Sequence, residues 1–348
     1  MATQKAVVIT EPKVSALVTD RRIPALRDDY ILVKTVSVGL NPTDWKHIEQ
    51  RAPPGVVVGC DYAGIVEAVG KDVKKPFRKG DRVCGVVHGC NAVQPEDGAF
   101  AEYLVAKGDL QMKMPDSLSF EEGATLGVGV LTVALALYQK LDLALPTQPA
   151  KETSPILIYG GSTATGTLAI QFAKLSGYTV YTTCSPHNFD LMRRLGADAV
   201  FDYKDPQSGA AIRKATDNKL GLIMDCIGNK AGVELCDNAL SSDGGKYTTI
   251  VPATIDRPGV ENTLVFAYTA IGEAFKYGEM SVPEKLQDKE HWEKFVPIVE
   301  SLLEGKKFAV HPPRVGKDGL KGVLDGLELL KSGQVSGEKL VYNVKDTP

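Results

Sequence analysis

Between Tyr159 and Gly166 the chain runs Tyr-Gly-Gly-Ser-Thr-Ala-Thr-Gly, small residues lying after a short apolar run and before a helical pattern. Small side chains let a pyrophosphate approach the backbone, and the free N–H groups and dipole of a helix start favour an anion. Ser162, Thr163, Ala164 and Thr165 are therefore expected to hold the diphosphate of a dinucleotide. The strict G-x-G-x-x-G spacing is absent, and a glycine-rich turn also arises where a helix and a strand pack closely.

The end of the next strand-like run carries the second signal. An acidic residue there would bond a ribose 2′-hydroxyl and repel a 2′-phosphate. The chain instead has Cys184-Ser185-Pro186-His187-Asn188. Ser185 and Asn188 can donate to phosphate, so NADPH is expected over NADH. Ser185-Pro186 is also a helix start, with the hydroxyl as cap and proline at the first helical position.

Six cysteines, Cys60, Cys84, Cys90, Cys184, Cys226 and Cys236, are scattered without the two-to-four-residue pairing of zinc sites. Free, mostly buried thiols in a reducing compartment are expected. The histidines His47, His88, His187, His291 and His311 likewise show no metal-site spacing, and are expected mostly on the surface or in loops.

Around these residues two patterns alternate. Up to about residue 118 there are strands at Ala6 to Ile9, Tyr30 to Val38, Ala63 to Val69, Gly80 to Val83 and Phe100 to Val105, broken by glycine and proline. Ser119 and Glu122 have capping-box spacing ahead of the apolar run from Ala124 to Tyr138, which predicts a buried helix there. From Pro155 strand and helix alternate. Strands are expected at Ile156 to Tyr159, Thr179 to Thr182, Ala199 to Phe201, Gly221 to Ile227 and Lys246 to Val251. Such alternation predicts a doubly wound parallel sheet with its ligand at the carboxyl ends of the strands. Two amphipathic helices, Trp292 to Leu303 and Leu320 to Lys331, precede a strand from Lys339 to Val344 that should return to the first lobe.

The chain's 348 residues exceed the ~250 to 300 at which single cores stop growing, so two lobes are expected. A net charge of -3 offers nothing broad to nucleic acid or acidic membranes. No apolar stretch reaches the ~20 residues that span a bilayer, and the opening residues read as a strand instead of a secretion signal. A cytoplasmic protein is expected.

Gly59-Cys60-Asp61-Tyr62-Ala63-Gly64 with Val69-Gly70, then Gly80-Asp81-Arg82-Val83, then Gly98-Ala99-Phe100-Ala101-Glu102-Tyr103, ahead of a dinucleotide lobe, together resemble the medium-chain dehydrogenase/reductase superfamily. The segments Tyr159 to Thr165, Thr183 to Leu191, Phe201-Asp202-Tyr203 and Ser336 to Val341 resemble its fungal trans-acting enoyl reductases, which serve polyketide synthases. The resemblance implies an α/β fold, with a GroES-like β-rich catalytic domain over 1–120 and 276–348 and a doubly wound Rossmann cofactor domain over 121–275. It implies an enoyl reductase that passes hydride from NADPH to the β-carbon of an α,β-unsaturated polyketide thioester on an acyl carrier domain, and it points to a monomer.

Zinc members of the superfamily carry a cysteine before Ser/Thr-Asp, a Gly-His-Glu segment and four close cysteines. This chain has Pro42 before Thr43-Asp44, Cys60 in place of the histidine, and only Cys90 where four would stand. No metal is expected, and charge developing in the reaction must fall on hydrogen-bond donors. The resemblance lays the nicotinamide end of the cofactor against Asn41 to Lys46. It thereby implies cofactor roles for Thr43, Asp44, Trp45 and Lys46, with Lys46 the catalytic residue that stabilises or protonates the enolate. Pro186, His187, Tyr203, Ile250, Val251, Val335 and Ser336 complete the implied cofactor set. Thr125, Leu126, Gly127, Val128, Gly129, Val130, Leu131 and Thr132, with Tyr268, Thr269, Ala270, Ile271 and Gly272, are implied to line an acyl cleft, although apolar segments of this kind also form core. A stand-alone NADPH quinone or enone reductase and a non-catalytic NADPH-binding protein are the competing readings.

Overall fold

The computed structural model describes residues 2–50 and 52–348, and the chain divides into two compact units. The first comprises residues 1–128, 268–305 and 310–348. Its seven-stranded sheet runs in the order Pro313–Val315, Lys339–Asn343, Tyr30–Gly39, Asp61–Val69, Arg82–Val86 and Met112–Lys113, with Tyr103–Lys107 also paired to Tyr30–Gly39. The C-terminal strand returns as expected, pairing antiparallel with Tyr30–Gly39 through Val341 and Gly39. Inward residues of these strands, among them Val33, Tyr62, Val66, Val83 and Leu104, form one core with Leu320, Val323 and Leu327 of the helix Gly319–Lys331.

The strand expected from Phe100 begins at Tyr103. The backbone of Phe100 is spent elsewhere: its carbonyl accepts from Val7 N and its own N–H donates to Val58 O. The run after Ser119 also differs from expectation. The capping box forms, with Ser119 Oγ accepting from Glu122 N at 3.1 Å and Glu122 Oε2 from Ser119 N at 2.8 Å. The helix nevertheless stops after Phe120–Gly123 and resumes only at Gly127–Val133, continuing as a wider i→i+5 turn over Ala134–Lys140. Val128 N turns to Asp61 Oδ1 at 2.7 Å, a side-chain acceptor that no helical pattern announces.

The second unit covers 129–267 and 306–309. Its six strands are all parallel, ordered Ala199–Asp202, Thr179–Cys184, Pro155–Tyr159, Leu222–Asp225, Gly245–Thr249 and Val260–Leu264. That is the doubly wound order with the first strand central, and it places the glycine-rich turn at the switch point. Val260–Leu264 is an edge strand with a largely exposed pattern, which hid it from the sequence reading.

The units meet at 128/129 and 267/268, where the sequence suggested 120/121 and 275/276. Val128 is tied to the first unit through Asp61, and Tyr268 through Thr43 and Cys60. Residues 306–309 belong with the second unit, where Gln171 bonds Ala309 in both directions, at 2.9 and 2.8 Å.

Candidate active site

The helix Pro42–Gln50 starts directly after the strand Tyr30–Gly39 and carries proline at its first position, where the missing N–H costs nothing. Asp44 closes this start, its N–H donating to Asn41 O at 3.0 Å and its Oδ2 accepting from Asn41 N at 2.7 Å. Burial pushes the Asp44 carboxyl up to about 7. The bond from Asn41 opposes this, the charge of Asp61 adds to it, and the Cys60 thiol and Lys339 oppose it more weakly. Asp44 is only 1% exposed, so its task is to hold the turn. Thr43, Trp45 and Lys46 are half-buried, with Lys46 Nζ 5.7 Å from the Trp45 ring centroid.

Beside this turn stands a cluster of which sequence reasoning named Thr43 and Tyr268 as site residues and missed Cys60, His47 and His88. Tyr268 Oη lies 2.9 Å from Thr43 Oγ1 and 3.4 Å from Cys60 Sγ. Thr43 Oγ1 is 3.1 Å from His47 Nδ1, which also reaches Thr43 O at 2.8 Å. His88 stacks on Tyr268 with centroids 4.1 Å apart, and His47 meets Tyr268 and Tyr277 edge-on. Of the histidines, His187 is exposed and His88 and His311 lie in loops, as expected for most of them, but His47, His88 and His311 are buried. Burial holds His88 down at about 3, with a smaller contribution from His47, and leaves it a neutral aromatic plate. The i, i+4 spacing of Thr43 and His47 on a helix was the one available signal.

All six cysteines are free and buried. Burial, then the nearby Asp44 charge, pushes the Cys60 thiol well above its ordinary value. Among the described residues no group of three or more His, Cys, Asp and Glu side chains could hold a metal ion, and no helix is long and apolar enough to cross a membrane.

In the second unit the glycine-rich turn fits a dinucleotide. Gly160 has φ +80, and a Cβ on Gly161 would lie 2.0 Å from Thr182 Oγ1. A Cβ added at Gly166 would lie 2.4 Å from Gly160 O. Thr163 caps the helix Ala164–Leu175 by accepting from Gly166 N at 2.9 Å, which leaves the amides of Ala164 and Thr165 at the helix end for an anion. The glycines thus answer close packing, and the two amides at the helix end are what an anion could use.

At the next strand end, Ser185 does precede a proline-started turn, but its hydroxyl makes no cap bond and lies 3.5 Å from Tyr203 Oη. Asn188 is 7% exposed with its amide against His187 Nε2, so Ser185 is the more open donor of the two. Pro186 and His187 are exposed, as is Tyr203, and Ile250 and Val251 are half-buried after the strand Gly245–Thr249. In the first unit Val335 packs on the core and Ser336 is exposed.

The segments expected to line an acyl cleft are closely covered. Thr125, Leu126, Gly127, Gly129, Val130, Leu131 and Thr132 are buried, and Val128 alone in that run is partly open. Tyr268, Thr269, Ala270 and Ile271 form a buried 3-10 turn, pinned by the Thr269 hydroxyl on the Asp288 carboxylate and ended by Gly272 at φ +72.

Two family models match the chain, one described as an alcohol dehydrogenase GroES-like domain over residues 27–116 and one as a zinc-binding dehydrogenase over 164–251. Among known proteins, the trans-enoyl reductase resD of Aspergillus sclerotiorum is 47% identical over 98% of this chain and 100% of its own. The trans-enoyl reductase TOXD of Cochliobolus carbonum is 58% identical over 79% of this chain and 93% of its own. Among solved structures, an alcohol dehydrogenase superfamily protein from Novosphingobium aromaticivorans superposes with a TM-score of 0.80 at 21% identity, covering 98% of this chain and 99% of its own, which shows the fold. The CurK enoyl reductase does so with a TM-score of 0.77 at 17% identity over the same shares. With its GroES-like unit, its doubly wound unit and this full-length identity, the chain belongs to the fungal trans-enoyl reductases, within the medium-chain dehydrogenase/reductase superfamily of nicotinamide-dependent oxidoreductases.

Proposed function

We propose that this protein reduces the carbon–carbon double bond of an α,β-unsaturated polyketide thioester carried by an acyl carrier domain, using NADPH. The observation that carries the reading is 47% identity to a trans-enoyl reductase along essentially the whole of both chains. Bound NADPH supplies the hydride, which adds at the β-carbon of the acyl chain while charge spreads onto the thioester oxygen.

The chain's own residues then have distinct tasks. Ser162, Thr163, Ala164 and Thr165 offer amides and hydroxyls to the diphosphate. Ser185, flanked by Pro186, His187, Asn188 and Tyr203, takes the 2′-phosphate, since no carboxylate stands there to repel it. Ile250, Val251, Val335 and Ser336 give further cofactor contacts. Thr43, Trp45 and Lys46 face the nicotinamide end, and Asp44 holds their turn through Asn41. Lys46 places an ammonium where negative charge grows on the acyl group, and stabilises or protonates the enolate. Thr125 to Thr132 and Tyr268 to Gly272 form the acyl wall.

No step uses zinc. Zinc members of the superfamily carry a cysteine before Ser/Thr-Asp and a histidine before the acidic residue, and this chain has Pro42 and Cys60 at those positions. Steady-state assays with crotonyl-pantetheine and with a simple quinone test the reading. Preference for the thioester is expected. Preference for the quinone would make the protein a quinone reductase, and NADPH binding without turnover would make it a non-catalytic one.

A further inference from the structure

The charged pair most deeply enclosed in the first unit joins Asp61, at the start of the strand Asp61–Val69, to Lys339, at the start of the strand Lys339–Asn343. The two side chains are 0% and 2% exposed. A buried pair of this kind seldom stabilises a fold better than apolar residues of the same volume, because desolvation offsets the attraction. What it supplies is direction, through bonds of fixed geometry.

Those bonds lead to both segments of the proposed site. Lys339 Nζ donates to the Asp61 carboxylate and, at 2.9 Å, to Asn41 Oδ1, and Asn41 is the residue on which the Thr43 to Lys46 turn is closed by Asp44. The other oxygen of Asp61 accepts from Val128 N at 2.7 Å, where the broken helix resumes. Two glycines make room for the pair. A Cβ on Gly39 would lie 3.0 Å from Lys339 Cε, and one on Gly127 would lie 2.4 Å from Asp61 Oδ1.

We propose that Asp61 and Lys339 are a clamp that fixes the Asn41–Lys46 turn against the start of the Gly127–Val133 helix, so that Lys339 is a positioning residue for hydride transfer. The proposal rests on the function given above. A misplacement of about 1 Å at a reacting centre lowers a rate by about 100-fold. Lys339→Met strands the Asp61 charge and should both destabilise the protein and slow the reaction. Asp61→Leu with Lys339→Met removes that stranded charge, so the melting temperature should recover. The bonds that aim the turn remain absent in the double variant, and its rate should stay at least tenfold low.

Single-turnover hydride transfer at saturating NADPH and crotonyl-pantetheine, measured well below each melting temperature, tests this. Recovery of both stability and rate in the double variant would overturn the clamp, as would a wild-type rate in Lys339→Met. Asn41→Ala, which leaves the pair intact and cuts only its bond to the turn, gives an independent reading should the double variant not fold. Its rate should fall about tenfold or more for the same positional reason, and an unchanged rate would again overturn the clamp. If the wild-type protein reduces no enoyl thioester, the functional reading fails, and the clamp is tested by amide hydrogen exchange. Exchange at residues 41 and 43–46 should then speed up in Asn41→Ala and in the double variant, and at Val128 in the double variant, and unaffected exchange contradicts it.

Discussion

Tyr268 Oη stands 2.9 Å from Thr43 Oγ1, joining residues 225 positions apart in the chain. The bond ties the buried 3-10 turn at Ala267–Ile271 to the first turn of the helix Pro42–Gln50. Tyr268→Phe would remove it together with the contact to Cys60, at a cost of about 1–2 kcal/mol. The melting temperature should fall by about 2–6 °C, and thermal denaturation at an unchanged midpoint would mean that these bonds do not hold the turn.

The elements of both units were legible where local chemistry decides them. The capping box at Ser119 and Glu122, the proline-started turn at Pro186, five strands of the parallel sheet and the returning strand at Lys339 all follow from patterns within about ten residues. What was not legible depends on distant partners. Asp61 takes the Val128 amide and breaks a helix that periodicity would continue. His88 is buried against Tyr268 and Phe275, which no spacing in the sequence brings to it. The expected site residues Thr43 and Tyr268 come together, whereas Asp44 turns inward to the Asn41 amide and Asn188 is buried with its amide against His187.

The buried His88 makes a pH prediction. Its folded-state value is held down at about 3, against 6.5 for the free side chain, by burial first and His47 second. The unfolded chain therefore binds more protons between those limits. The stability this histidine lends is complete above pH 6.5 and is lost as pH falls towards 3. From pH 6.5 to pH 5 the wild type should lose about 2 kcal/mol more than His88→Phe does. Parallel urea-denaturation profiles for the two proteins would contradict this.

The coenzyme choice proposed above turns on Ser185, whose hydroxyl is not used as a helix cap. NADPH should bind at least about tenfold more tightly than NADH, equivalent to about 1.4 kcal/mol. Ser185→Asp should abolish or reverse that ratio, because a carboxylate repels the 2′-phosphate. Titrations that give equal constants for the two coenzymes in the wild type would rule out this role.

Lys46 should matter more in the transition state than in the ground state, since charge reaches the acyl group only as hydride moves. Lys46→Met should lower the single-turnover rate by roughly 100- to 1,000-fold while the NADPH dissociation constant changes far less. A weakened cofactor constant whose effect disappears at saturation would make Lys46 a cofactor grip, and no change in either quantity would make it a surface charge.

The central claim is that hydride passes from NADPH to the β-carbon of a conjugated thioester, and an isotope label tests it most directly. The protein is given NADPH carrying deuterium at the transferred position and a crotonyl thioester in ordinary water, and the saturated product is analysed by mass spectrometry and NMR. One deuterium at the β-carbon, with the α-carbon proton drawn from solvent, is the predicted result. Oxidation of the coenzyme with no deuterium in the acyl chain, or with the label at the α-carbon, would contradict the account.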